Sequence, residues 1–222
     1  MLKLRTTLLI ILIILSYFIS ALPIMFILTK VYEIVGINII YILPILYFIL
    51  YPIFLTFLGI FLSLSRHVIP LPKPGKYKLN SKNDKYGFIR GIPFNLFVTS
   101  LGLFKGIMLN PIIYKLFGLK VGKNCIISGK LINMEYIKIG NNTIIGDRCL
   151  LTAHIIQNNY IIYDNITIGN NCTIGAEAII YPKVKIEDNS IIGGNTVIPY
   201  GKKIPKNTIW IGAKPKKIGK NL

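Results

Sequence analysis

The chain has 222 residues, a formal net charge of +18 and 53% hydrophobic residues, with a mean hydropathy of +0.59. That hydropathy is too high for an ordinary soluble protein, and the apolar excess sits in the first third, so composition points to a membrane anchor followed by a soluble domain. The charge is spread along the chain, with 13 Lys+Arg against 2 Asp+Glu in residues 1–120 and 13 against 6 in residues 121–222. No nucleic-acid motif accompanies it, so a nucleic-acid partner is not expected.

Lys3 and Arg5 precede a charge-free run from Thr6 to Thr29. Its 24 residues can cross a hydrocarbon core of ~30 Å, and the run is long for a cleaved signal. Lys30 and Glu33 bracket a short turn, and Ile34 to Ser65 then carries no charge. The expected spans are about 7–29 and 38–64, with Pro44 and Pro52 kinking or breaking the second. Basic residues flank both outer ends: Lys3 and Arg5 before, and Arg66, Lys73, Lys76, Lys78, Lys82 and Lys85 after. The positive-inside rule then places both ends in the cytoplasm of a multi-pass membrane protein.

Domain 1–66 is therefore read as a transmembrane hairpin. Residues 67–118 read as a Pro- and Lys-rich linker followed by helices lying at the membrane interface or packing under the next domain. The uncharged run Gly91–Phe104 is short for a span. A third span is the competing reading, and it would put the following domain outside.

From residue 119 a period of six takes over. Ile162, Ile168, Ile174, Ile180, Ile186, Ile192 and Ile198 recur at that spacing. Upstream, Val121, Ile127, Ile139, Ile145 and Leu151 keep the same spacing in another phase, with Asn133 as the break. Helices repeat near 3.6 and strands at 2, so a period of six means a flat face and a turn per unit, with three faces closing a triangular coil. The phase change implies five inserted residues, about Gln157 to Ile161, bulging as a loop. Coils then run 121–138, 139–156, 162–179 and 180–197. Gly follows the aliphatic residue at 122, 140, 146, 169, 175 and 193, and Asn stands three residues after it at 124, 142, 165, 171, 189 and 195. Both tolerate the left-handed backbone of tight corners. Cys125, Cys149 and Cys172 fall on the small inward position. They read as core thiols in a reducing compartment, not as disulfides, metal ligands or nucleophiles.

These units, with the closing stretch Ile209-Trp-Ile-Gly-Ala-Lys-Pro-Lys-Lys-Ile218, resemble the hexapeptide-repeat acyltransferases over residues 118–219. The resemblance implies a left-handed parallel β-helix of about four coils, a homotrimer, and acetyl-CoA or another acyl-CoA as co-substrate, with no metal. His67 and His154 are the two histidines. By position alone His154, just before the insertion, reads as a corner residue. The resemblance makes it the general base. Coil register then stacks Glu177 one strand spacing, ~4.8 Å, above His154, either as a carboxylate that orients the ring or as a solvated surface glutamate, with Tyr136 one coil below. By the same resemblance Gly193, Gly194 and Thr196 contact the pantetheine arm and Lys216 meets the cofactor phosphates. Asn195 departs from the motif's second glycine, and the proline of the closing stretch is shifted by one. Lys202 and Lys203 match weakly, and the alternative for all these lysines is a solvated basic tail that closes the domain 119–222 with Lys214, Lys216, Lys217 and Lys220.

The function implied is acyl transfer to a hydroxyl or amine of an acceptor, such as a sugar, a lipid-linked sugar or a surface-polymer precursor. The alternative is a non-catalytic trimeric membrane scaffold. A zinc enzyme on the same coil would need three histidines as ligands, and the repeat region has one.

Overall fold

A computed structural model describes residues 2–35, 39–101 and 110–220. The chain divides into two compact units, residues 1–71 with 88–105 and residues 72–87 with 106–222. The segment expected as one linker-and-interface region is thus shared between both.

The first unit is helical. Helix α1 spans Leu2–Val35 and α2 spans Ile39–Ser65. Both are long and apolar enough to cross a membrane. Lys30 and Glu33 do not bracket a turn. They form a 2.7 Å ion pair inside the last turns of α1, and the connection at residues 36–38 lies outside the described residues. Helix α2 runs through Pro44 and Pro52 without interruption, so neither breaks it. Leu9, Leu58 and Leu62 are buried, and Tyr17 meets Phe54 at 6.3 Å between the two helices. Ser16 and Ser20 hydroxyls donate to carbonyls one turn back, which satisfies them without a partner helix. Beyond α2, Arg90 donates to the carbonyls of Arg66 and Ile69, partners that its buried guanidinium requires. Arg90 ends α3 (Lys82–Arg90), and α4 (Ile92–Leu101) packs on α2. The expected interfacial stretch 102–109 lies outside the described residues.

The second unit is a parallel β-solenoid of about five turns. Its first face stacks the strands at residues 120–121, 137–139, 166–168, 185–186 and 203–204. The second stacks 126–127, 144–145, 173–174, 191–192 and 208–211, and the third 130–132, 150–152, 179–180 and 197–198. Ile127, Ile145, Ile174, Ile180, Ile192 and Ile198 are fully buried on these faces; each contributes about 1.5–3 kcal/mol by leaving water. Helix α5 (Asn110–Leu116) closes the open lower end, where Asn110 donates to Ile127 O and Tyr114 to Gly129 O. This part of the 67–118 segment packs under the solenoid. Residues 216–220, expected as a tail, form a strand that pairs antiparallel with 208–211.

The register differs from the expected one by a whole face. Ile139 pairs with Ile168, Ile145 with Ile174 and Leu151 with Ile180, each 29 residues apart. The insertion is therefore eleven residues, not five, and Ile162 is not a coil position. The phase also breaks at Asn133, because Leu131 takes the third-face place opposite Leu151.

Asn124, Asn142, Asn171, Asn189 and Asn207 all hold φ between 53° and 57° at one corner. Their side chains form a ladder of hydrogen bonds of 3.1–3.2 Å up the prism. Asn165 is not among the left-handed residues, as the corrected register requires. The repeat glycines are not left-handed either. A Cβ at Gly140 would lie 2.5 Å from the Gly169 carbonyl carbon, so glycine lets successive coils approach. Cys149 and Cys172 are buried and Cys125 half-buried, all free. Their thiols reach carbonyls of the next coil, such as Gly175 O at 2.8 Å from Cys149. Burial pushes the Cys149 and Cys172 thiols up, which keeps them inert.

Candidate active site

The site forms where the chain leaves the solenoid. Ala153 N makes a last coil bond to Ile132 O, and Asp164 N returns to Ala153 O. Between them His154–Gln157 and Tyr160–Tyr163 pair as an antiparallel hairpin, His154 opposite Tyr163. Asn158 and Asn159 turn it with φ of 47° and 62°, the two-residue turn that matches strand twist. Strand β1 (Gly75–Lys78), from the segment expected as linker, pairs antiparallel along Tyr160–Tyr163. The insertion thus supplies two strands of a three-stranded sheet, not a bulging loop.

His154 is the first residue of a strand, half-buried and not left-handed, so the corner reading is corrected. Its Nδ1 lies 2.6 Å from Asn133 Oδ1. An amide oxygen only accepts, so Nδ1 carries the proton and Nε2 keeps its lone pair. Asn133 is held left-handed, φ 55°, as the cap of the short turn Met134–Tyr136. Asn133, the hairpin exit, Lys183 and Gly201 mark the same corner in successive coils. The residue breaking the six-residue period is therefore the one that holds the imidazole.

Tyrosines wall the ring. The Tyr163 ring is 6.0 Å from His154 and stacks on Tyr136 at 5.7 Å, with Tyr77 at 6.3 Å. Tyr136 donates to Pro72 O, so it is fixed in the wall. Tyr163 is 2% exposed, and burial, with Asp84 and Tyr77 adding, pushes its hydroxyl up to about 12. A Cβ on Gly87, inside α3, would fall 2.1 Å from the Tyr163 hydroxyl oxygen. Burial lowers the pKa of His154, and the negative charge of Asp84 partly offsets this. The ring is consequently neutral and able to accept a proton near pH 7.

Glu177 does not stack on His154. With the corrected register it stands above Arg148 and binds its guanidinium at 2.7 Å, one face away. Gly193 and Gly194 lie at the corner between the second and third faces, where Gly193 N donates to Trp210 O at 2.8 Å. Thr196 is buried and its hydroxyl accepts from Gly212 N at 3.1 Å. Lys216 is exposed on the closing strand opposite Ile211. Within one chain these four residues sit at another corner from His154, and the structure does not bring the two groups together.

A family profile described as "Bacterial transferase hexapeptide (six repeats)" matches residues 165–199. The matched stretch lies within the solenoid. A hexapeptide-repeat containing acetyltransferase from Vibrio cholerae superposes with a TM-score of 0.51 at 13% identity, covering 68% of this chain and 97% of that one. A maltose O-acetyltransferase from Clostridium difficile gives 0.44 at 21% identity over 68% and 95%. A galactoside acetyltransferase in complex with coenzyme A gives 0.49 at 21% identity over 65% and 86%. No curated protein matches the chain by sequence. At 13% identity the likeness to the Vibrio cholerae protein shows the fold alone.

Proposed function

We propose that the chain is a membrane-anchored acyltransferase that moves an acyl group, acetyl by the fold's habit, from acyl-CoA to a hydroxyl or amine acceptor. One observation carries the reading: a neutral, half-buried imidazole, its Nδ1 tied to Asn133, stands at the foot of a hairpin that leaves the solenoid. Nε2 takes the proton as the acceptor oxygen or nitrogen attacks the thioester carbonyl. A backbone N–H steadies the oxyanion. As the C–S bond breaks, the thiolate takes the proton back from the imidazolium. No acyl-enzyme is needed.

Gly193, Gly194, Thr196 and Lys216 remain the proposed coenzyme A contacts. Their separation from His154 within one chain supports a trimer, in which a neighbour's corner completes the groove. The outward side chains support it too: Ile126, Ile144 and Ile191 on the second face, and Leu150, Ile179 and Val197 on the third. The anchor is supported by α1, whose Phe18 and Phe26 are 69% and 65% exposed, an apolar surface that water does not favour. The basic flanks favour a cytoplasmic solenoid, where acyl-CoA is found.

The test uses the full chain in micelles, with calorimetry against coenzyme A and transfer from acetyl-CoA to a panel of sugar alcohols and amines. His154→Ala should cut transfer by about 10²–10⁴-fold and leave coenzyme A affinity intact. Equal turnover by the variant removes His154 from the mechanism. No coenzyme A binding by the wild type removes the transferase reading.

A further inference from the structure

The three faces of the prism carry different outward columns. The second and third are mainly aliphatic. On the first face the register puts Lys120 beside Lys138, then Thr167, Lys185 and Lys203. All four lysines are exposed while the residues that alternate with them point inward. At ~4.8 Å per rung the row is about 19 Å long. It is one side chain wide, because each rung has a single outward residue. Like charges side by side on a sheet are unfavourable, so an arrangement that serves folding alone does not account for the row. Little acid offsets it: Glu187 is 3.4 Å from Lys185, and Asp188 is occupied by Asn170. Thr167 borders an open groove of about 340 Å³ lined by Lys185 and Lys206 and by the carboxylates Glu187 and Asp188.

The face begins at the corner of the candidate active site. Thr167 lies four residues after Tyr163, hence within about 14 Å of it, and the Tyr163 ring is 6.0 Å from that of His154.

We propose that the first face is a track for an extended polyanion, a chain bearing phosphate or carboxylate groups at short intervals, and that this chain presents the acceptor group to His154. The second clause rests on the acyltransferase reading; the first does not. Charge complementarity selects an anion, and the single-file row selects a chain over a bilayer, which would meet a two-dimensional patch. Thr167 leaves room in the row for an uncharged part of the repeat.

The full chain in phosphatidylcholine nanodiscs is titrated with sodium polyphosphate. Binding should weaken at least tenfold in a Lys138→Gln, Lys185→Gln, Lys203→Gln variant and tighten as salt falls. A Lys73→Gln, Lys130→Gln, Lys217→Gln variant, with the same charge loss off the row, should bind like the wild type. Circular dichroism checks that both fold. The track is overturned if the wild type does not bind polyphosphate, or if the two variants lose binding equally. It is also overturned, in favour of a lipid surface, if a dye on Lys185→Cys in phosphatidylglycerol nanodiscs is quenched by headgroup-borne quenchers. Coenzyme A affinity measured on the same samples separates the two proposals: its loss with row-dependent binding kept would leave the track and remove the transferase.

Discussion

Removing the carboxamide of Asn133 tests the site most directly, because it leaves the imidazole itself in place. The 2.6 Å contact to His154 Nδ1 is a neutral, half-buried hydrogen bond, so it favours the Nδ1–H form by about 0.5–1.5 kcal/mol, or roughly 2- to 13-fold. Asn133→Gly is the informative variant. At φ 55° an alanine would add about 1–2 kcal/mol of left-handed strain, whereas glycine accepts that backbone freely. Transfer should fall by about that 2- to 13-fold, well short of the loss from His154→Ala. Nitrogen-15 imidazole shifts read the tautomer, and with two histidines in the chain a His67→Gln variant completes the assignment. Asn133→Asp would put a carboxylate on Nδ1, raise the imidazole pKa and move the acidic limb of the pH–rate profile upward. A wild-type spectrum showing Nε2–H, or a tautomer ratio unchanged in Asn133→Gly, would refute the proposed geometry.

Three further outcomes follow from the same geometry. Asp84 raises the His154 pKa against the larger lowering by burial, so Asp84→Asn should move the His154 titration to lower pH; a move upward contradicts the assignment. Because the folded-state pKa is depressed, the fold loses stability as pH drops below the unfolded value of about 6.5, and Asp84→Asn should deepen that loss in acid unfolding curves. Gly87→Ala drives a Cβ into the buried Tyr163 ring and should cost about 1–3 kcal/mol, seen as a lower melting temperature with disturbed His154 resonances, although alanine is the better helix former. In the asparagine ladder, Asn171→Ala should destabilise more than Asn171→Gly by about 1–2 kcal/mol in urea unfolding, both losing the ladder bonds to Asn142 and Asn189; equal losses would mean the left-handed corner carries no strain.

The prism was legible in the sequence because its cause is local and repeated. An aliphatic residue every sixth position needs an inside, and Ile127, Ile139, Ile145 and Ile168 through Ile198 all found one. What the period could not carry was the length of its own interruption. Ile162 stands six residues before Ile168, yet it is there because a hairpin strand wants a β-branched residue opposite Ile155. A strand of the excursion and a rung of the coil ask for the same side chain, so phase alone absorbed six hairpin residues into the solenoid. Five inserted residues would stack Glu177 on His154; with eleven, its carboxylate binds Arg148. Strand β1 was hidden for another reason: Gly-Lys-Tyr-Lys has no apolar face of its own and becomes a strand only against Tyr160–Tyr163.

The residue that matters most beside His154 was nevertheless visible, as a fault. Every unit that kept the rhythm was spending its residues on stacking, and Asn133 was the one position where an aliphatic side chain was due and an amide stood. A solenoid tolerates such a substitution only where another residue takes the inward place, as Leu131 does here. That releases position 133 to turn left-handed, cap a short helical turn and aim its oxygen out of the core at the ring that leaves one coil above. In a fold whose interior is periodic, chemistry has to be made by residues excused from the period, and the skipped beat and the insertion belong to one corner because one coil's break supplies the partner for the next coil's exit.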